Sequence, residues 1–102
     1  MNQTTLNHLI SLENKTAVVT GGSAGIGAAA CELMAQAGAF VIIVDIDTAK
    51  GTETCRHIAD NGGRAVFFQC DVTKEADCIK LAEFTKEKCD GVDILFNNAG
   101  VI

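Results

Sequence analysis

The chain has 102 residues, enough for one small domain with a core and too few for two. Its formal net charge of −5 disfavours nucleic acid and anionic membranes as partners, because both attract clustered lysine and arginine. The N-terminus lacks a cationic region followed by an apolar one, and the longest apolar run, residues 39–44, is too short to span a bilayer. We therefore expect a soluble, cytoplasmic protein.

The cysteines are five in number and contain no C-x-x-C pair. An odd count without metal-ligand spacing favours reduced thiols in a core over a disulfide or zinc framework, so no metal site is predicted. The five are Cys31, Cys55, Cys70, Cys78 and Cys89.

Residues 1–14 are polar and largely unpatterned, and we interpret them as an N-terminal arm. Four short apolar runs then recur, at residues 16–20, 39–45, 64–69 and 92–96. Each is rich in Val, Ile or Phe and short enough to be a buried strand.

Helical patterns separate these runs. In the first, apolar residues at three- and four-residue steps predict one buried stripe, and Gly38 lies where a C-cap glycine belongs. The second pattern, about 48–61, is mostly polar. The third, about 74–89, follows Thr73, a candidate N-cap. The stripe of the first helix comprises Ile26, Ala29, Ala30, Leu33, Met34 and Ala37.

Alternating strands and helices predict an α/β fold with a doubly wound parallel sheet of the Rossmann type, over residues 15–102. In such a sheet the fourth strand lies beside the first. The sequence ends soon after that strand, so we expect an incomplete domain with an uncovered apolar edge at 92–96.

The most informative stretch is the glycine-rich segment 20–27, Thr-Gly-Gly-Ser-Ala-Gly-Ile-Gly, between the first strand and the first helix. In that context glycines let the backbone approach a pyrophosphate, and the new helix offers unpaired amides and a positive dipole end. We therefore predict a nucleotide site. Its candidate residues here are Gly21, Ser23, Ala24, Gly25, Ile26 and Gly27.

Asp45 closes the second strand about twenty residues beyond the glycines, where a carboxylate can accept from both hydroxyls of an adenosine ribose. A carboxylate would repel a 2′-phosphate, and neither Ala24 nor Ile46 supplies a cation, which favours NAD over NADP. Asp47 is a competing candidate, although it should already lie in the following loop.

Two further groups follow the third and fourth strands. Asp71 can accept from an adenine amino group while Val72 packs on the ring, but a turn or helix-capping role for Asp71 is an equal alternative. In the segment 97–100, Asn-Asn-Ala-Gly, small residues let the backbone lie against a ligand, and asparagine side chains can join neighbouring strands.

Together these motifs resemble the short-chain dehydrogenase/reductase family over about residues 13–102. The glycine segment is similar to its cofactor fingerprint, Asp45 to its NAD-selecting acid, the pair 71–72 to its adenine contact and 97–100 to its N-N-A-G segment. The resemblance implies hydride transfer between NAD(H) and a small alcohol or carbonyl, and association into homo-oligomers through later helices. It also implies that backbone groups near Ser23 and Ile26 meet the pyrophosphate, and that Asn98, Ala99 and Gly100 lie near the nicotinamide-side ribose.

The family's catalysis uses a Tyr-x-x-x-Lys pair on a later helix, and this chain contains no tyrosine. The lysines of the third helix (Lys74, Lys80, Lys86 and Lys88) should lie away from the strand ends and cannot replace it. We therefore name no catalytic residue and expect the 102 residues alone to be inactive. His8 and His57 are expected at the surface, and Cys70 as a packed thiol.

Two other functions remain open at this point. A nucleotide-binding remnant or truncated product without activity would also fit the missing tyrosine. A methyltransferase that uses S-adenosylmethionine shares the glycine loop and the ribose acid, but commonly has an acid where this chain has Thr20.

Overall fold

The computed structural model describes residues 11–98, so most of the predicted N-terminal arm, His8, Ala99 and Gly100 lie outside the described residues. The described part alternates strictly between strands and helices. Its elements are β1 (Thr16–Thr20), α1 (Gly25–Gln36), β2 (Phe40–Asp45), α2 (Thr48–Asp60), β3 (Arg64–Gln69), α3 (Glu75–Lys88) and β4 (Ile94–Asn97). Within residues 11–98, no helix is long and apolar enough to cross a membrane.

The strands form one parallel sheet in the order β3-β2-β1-β4. Val19 of β1 lies opposite Ile43 of β2 on one side and Phe96 of β4 on the other. The chain moves outward through β2 and β3 and then returns to the far side of β1. This reversal confirms the doubly wound sheet and the predicted position of the fourth strand beside the first.

Helices cover both faces of the central strands, which explains why β1 and β2 are apolar without alternation. On one face Val19 and Ile43 pack with Cys31 of α1 and Ile58 of α2. On the other face Val18, Ile42 and Val44 pack with Leu81 and Phe84 of α3. The core is therefore two thin layers, one on each face of the sheet.

Strand β4 is the least covered strand of the described sheet. It pairs with β1 alone, and Leu95 is 66% exposed, so an apolar edge is present as predicted. The predicted start at residue 92 is wrong. Asp93 already contacts β1: its amide donates to the Thr16 carbonyl oxygen at 2.9 Å, and its carboxylate accepts from the Thr16 amide at 2.8 Å. A side chain thus takes the place of a backbone acceptor there, and the strand begins at Ile94.

The stripe predicted for α1 is only partly correct. Met34 and Ala37 contact the core, and Gly38 follows the C-cap, as predicted. Ile26 and Leu33, however, are 75% and 56% exposed. The buried face of the helix consists of Gly27, Cys31 and Ala35. These smaller side chains let the helix axis approach the sheet, and the larger ones turn outward.

Thr73 does not cap α3. The N-cap is Lys74, which makes no side-chain capping bond. The Thr73 hydroxyl instead donates to Asp71 at 2.6 Å, and the Asp71 amide donates to the carboxylate of Asp77 in the first turn of the helix. The N-cap prediction was wrong by one residue: the helix begins at Glu75, so Lys74 takes the N-cap position and Thr73 belongs to the preceding turn.

Candidate nucleotide-binding site

The loop between β1 and α1 is fastened across the carboxyl end of β2. The amides of Gly21 and Gly22 donate to the carbonyl oxygen of Val44 at 2.8 and 3.4 Å. Gly25 is exposed and has a φ of 58°, which residues with side chains rarely adopt. The loop therefore presents backbone, rather than side chains, to its surroundings.

Gly27 allows α1 to begin in close contact with the sheet. A Cβ at this position would lie 2.0 Å from the carbonyl oxygen of Gly21 and 3.0 Å from the side-chain nitrogen of Asn98. The N-cap residue, Ala24, makes no side-chain bond, and the first turn carries no acid. The amides of this turn and the positive end of the helix dipole are thus available to an anion.

Asp45 lies beside this loop, and each oxygen of its carboxylate accepts two hydrogen bonds. Oδ1 accepts from the amides of Ile46 and Asp47 at 2.7 and 3.2 Å. Oδ2 accepts from the hydroxyl and the amide of Ser23 at 2.5 and 3.3 Å. Partial burial opposes ionisation, but these bonds, led by that of the Ser23 hydroxyl, hold the pKa below its ordinary 3.8. Asp45 is therefore a charged acceptor at the loop.

Asp47, the competing ribose candidate, serves α2 instead. It is the N-cap of that helix, and its carboxylate accepts from the amide of Lys50 at 3.0 Å. This local role leaves Asp45 as the carboxylate in contact with the glycine loop.

Thr54 is a residue that sequence reasoning missed. It is buried on α2, and its hydroxyl donates to the carbonyl oxygen of Ser23 at 3.1 Å. The contact joins residues 31 positions apart, so no local pattern reveals it. Residue type alone does not single it out, because Thr48 and Thr52 lie in the same helix. The available signal was its spacing, three residues after Gly51 and four before Ile58, which are the other buried positions of α2. Thr54 helps to hold the loop against α2.

Asp71, the candidate adenine contact, lies at the end of β3. Its Oδ1 accepts from the hydroxyl and amide of Thr73 at 2.6 and 2.9 Å, and these bonds hold its pKa below the ordinary value. The turn role is thus present in the structure. An open groove of about 510 Å³ lies beside Asp71. Val72 does not line this groove and packs instead against the core on the α3 face of the sheet. The groove is lined by Ile46, Phe68, Gln69, Asp71, Lys74, Asp77 and Lys80.

The prediction that every lysine of this region lies away from the strand ends was wrong. Lys74 and Lys80 line the same groove as Asp71. Helix α3 begins only at Glu75, so Lys74 still belongs to the loop that follows β3. The groove is therefore flanked by cations, and neither lysine is paired with a tyrosine.

The end of β4 is tied to the glycine loop, as the two asparagines suggested. The Thr20 hydroxyl donates to the Asn97 side chain at 2.9 Å and accepts from the Asn98 amide at 3.0 Å. The Asn98 side chain donates to the carbonyl oxygen of Gly21 at 3.3 Å. These bonds bring Asn98 to the start of α1.

Among residues 11–98, the other reactive side chains do not come together in a second site. Cys70 is 2% exposed, and burial, the largest cause, raises the pKa of its thiol, in agreement with a packed cysteine. His57 lies on the surface of α2 and contacts Glu32 of α1. Within residues 11–98, no group of three potential metal ligands comes together.

Comparisons with known proteins agree with this geometry. The family model described as short chain dehydrogenase matches residues 15–102. An uncharacterized oxidoreductase of Bacillus subtilis, YxbG, is 50% identical over 90 residues, which cover 88% of this chain and 33% of that protein. The chain thus spans about a third of the length of this relative.

Solved structures of related dehydrogenases and oxidoreductases also superimpose on this chain. A hydroxysteroid dehydrogenase from Escherichia coli superimposes with a TM-score of 0.86 at 38% identity, over 98% of this chain and 41% of the other. A metagenomic short-chain oxidoreductase in complex with NADP gives 0.85 at 36% identity, over 88% and 41%. This chain belongs to the short chain dehydrogenase family.

Proposed function

We propose that the chain is the cofactor-binding N-terminal part of an NAD(H)-dependent oxidoreductase that interconverts a small alcohol and its carbonyl compound. The observation that carries this proposal is the Asp45 carboxylate held beside an uncapped helix N-terminus. When bound, the nicotinamide group supplies the hydride. The residues of this chain bind and orient the cofactor.

Each part of the described surface suits one part of a dinucleotide. The first-turn amides of α1 suit the pyrophosphate, and Asp45 suits the adenosine ribose. The groove beside Asp71 suits the adenine. Asn98, already hydrogen-bonded to the loop, leads toward Ala99 and Gly100, for which we propose contacts on the nicotinamide side.

The preference for NAD rests on charge. A carboxylate kept ionised at the end of β2 accepts ribose hydroxyls and repels a 2′-phosphate. Lys74 lines the neighbouring groove, so a cation is available on the adenine side, and one structural relative was solved with NADP. The choice of cofactor therefore depends on whether repulsion of a 2′-phosphate by Asp45 outweighs its attraction by Lys74. We propose that the repulsion is the stronger effect.

We propose that the substrate chemistry is carried by residues outside these 102. The chain has no tyrosine, and we propose that the proton-transferring Tyr-x-x-x-Lys pair lies outside it and that the chain alone is inactive. We further propose a cytoplasmic homo-oligomer. A nucleotide-binding protein without catalysis is the second candidate, favoured by the same missing tyrosine.

Calorimetric titration of the full-length protein with NAD, NADP and S-adenosylmethionine tests the proposal. We expect NAD to bind tightest, and Asp45→Ala to weaken NAD by about tenfold to 100-fold, since a hydrogen bond to a charged group contributes about 1.5–3 kcal/mol. Asp60→Ala, at an exposed aspartate on the last turn of α2, is the matched control and should leave affinity unchanged. Unchanged NAD affinity in Asp45→Ala, or tighter binding of S-adenosylmethionine, would contradict the proposal.

A further inference from the structure

The Asp45 carboxylate has no spare acceptor site. A carboxylate offers about four lone-pair positions, and the chain's own donors fill all four. The shortest of these bonds, at 2.5 Å, comes from the Ser23 hydroxyl. A ribose hydroxyl that donates to Asp45 must therefore displace one of these donors.

The four donors differ in how easily they can leave. Three are backbone amides, of Ser23, Ile46 and Asp47, and their positions are set by the course of the chain. The fourth, the Ser23 hydroxyl, turns about a single side-chain bond. Its departure needs no backbone movement, because the Gly21 and Gly22 amides still fasten the loop to Val44.

We propose that the Ser23 hydroxyl is an internal competitor of the adenosine ribose, occupying Asp45 Oδ2 in the free protein and turning away when a ribose hydroxyl donates there. The inference rests on the proposed function, since it requires Asp45 to be the ribose acceptor. In NADP the adenosine ribose keeps its 3′-hydroxyl but carries a phosphate in place of the 2′-hydroxyl, and the Asp45 carboxylate repels that phosphate whether or not Ser23 is present. Ser23 is therefore a specificity-determining residue, and its hydroxyl also lowers the affinity for NAD.

Ser23→Ala tests this in the full-length protein, with NAD and NADP as probes in calorimetric titration. Because a competing neutral hydroxyl is removed, we expect the Kd for NAD to fall by about threefold to tenfold and the Kd for NADP not to fall. A serine that only supported the loop would produce a loss, not a gain. Ser23→Gly removes the same hydroxyl and should give the same gain if the alanine variant folds poorly.

Thr54→Val is the matched control. It removes a hydroxyl that bonds to the Ser23 carbonyl and does not touch Asp45, so no gain in NAD affinity is expected. In an Asp45→Ala background, Ser23→Ala should also bring no gain, because the contested acceptor is gone.

The outcomes separate the two proposals. If Asp45→Ala lowers NAD affinity but the Ser23 variants leave it unchanged or weaken it, the proposal that Ser23 competes with the ribose is disproved. The proposed function then stands. If Asp45→Ala leaves NAD affinity unchanged, the ribose assignment fails, and the competitor fails with it.

Discussion

Two strand-end aspartates in this molecule are built differently. Asp71, at the end of β3, accepts from Thr73, two residues further along its own turn. Asp45, at the end of β2, accepts from its own turn and also from Ser23, 22 residues away in the glycine loop. The first carboxylate shapes a local turn, whereas the second joins two segments that are distant in the sequence.

This difference indicates where ligand binding depends on the packing of distant segments. The amide and hydroxyl of Ser23 donate to the Asp45 carboxylate, so the position of this carboxylate depends on the loop that precedes α1. A ligand that binds to the carboxylate should therefore lie against the loop as well. Asp71 depends only on residues 71–77. Changes at the loop should therefore affect nucleotide binding strongly, and changes at the β3 turn should affect it weakly.

The strongest way to break the long-range connection is Gly27→Ala. The added methyl group would lie 2.0 Å from the carbonyl oxygen of Gly21, so α1 must move away from β1. We expect loss of measurable NAD binding in calorimetric titration. We also expect the free energy of unfolding in urea to fall by about 1–3 kcal/mol, the usual cost of overpacking.

Gly62→Ala is the control for this prediction. Gly62 lies between α2 and β3 with nothing near its Cβ position, although its φ of 84° strains any other residue. It should cost about 1–2 kcal/mol of stability while leaving NAD affinity intact. Equal losses of NAD affinity in both variants would show that Gly27 has no special role in the site.

A smaller effect should appear in the pH dependence of stability. Because the folded-state pKa of Asp45 lies below the ordinary 3.8, its ionised form stabilises the fold above that pH, and this contribution is lost as the pH falls through the folded pKa. Wild type should exceed Asp45→Asn in free energy of unfolding at neutral pH, and the difference should be smaller at a pH below 3.8. Urea titrations at both pH values measure it. A gap that widens in acid would contradict the assigned direction.

The smallest effect should come from the turn after β3. Thr73→Ala removes one hydrogen bond, from the Thr73 hydroxyl to the Asp71 carboxylate, and keeps the bond from the Thr73 amide. Charged contacts at the surface contribute little. We expect the Kd for NAD to change by less than about twofold, measured against Thr73→Ser, which keeps the hydroxyl. A tenfold loss would place Asp71, and not Asp45 alone, among the groups that control binding.

Much of the fold could be predicted because it follows from local patterns. Apolar runs and glycine boundaries located all four strands of the described sheet, and alternation with helices gave its order. The orientation of α1 could not be predicted, because periodicity does not reveal that Gly27 permits a close approach to Gly21. Larger apolar side chains such as Ile26 then face outward.

The site divides in the same way. The spacing from the glycines predicted a carboxylate at the end of β2, and Asp45 lies there in the structure, since strand length fixes where that residue falls. The bond from the Ser23 hydroxyl to this carboxylate could not be predicted, because it depends on how the loop folds back across β2. Lys74 was misplaced for a related reason: one residue at a helix start decides whether a side chain joins the helix or the strand end.

A crystal structure of the full-length protein with NAD would test the central claim most directly. The account predicts adenosine ribose hydroxyls within hydrogen-bond distance of Asp45 Oδ2, the pyrophosphate at the first turn of α1, and the Ser23 hydroxyl turned away from the carboxylate. A ribose bound elsewhere, with Asp45 still holding the Ser23 hydroxyl, would contradict it.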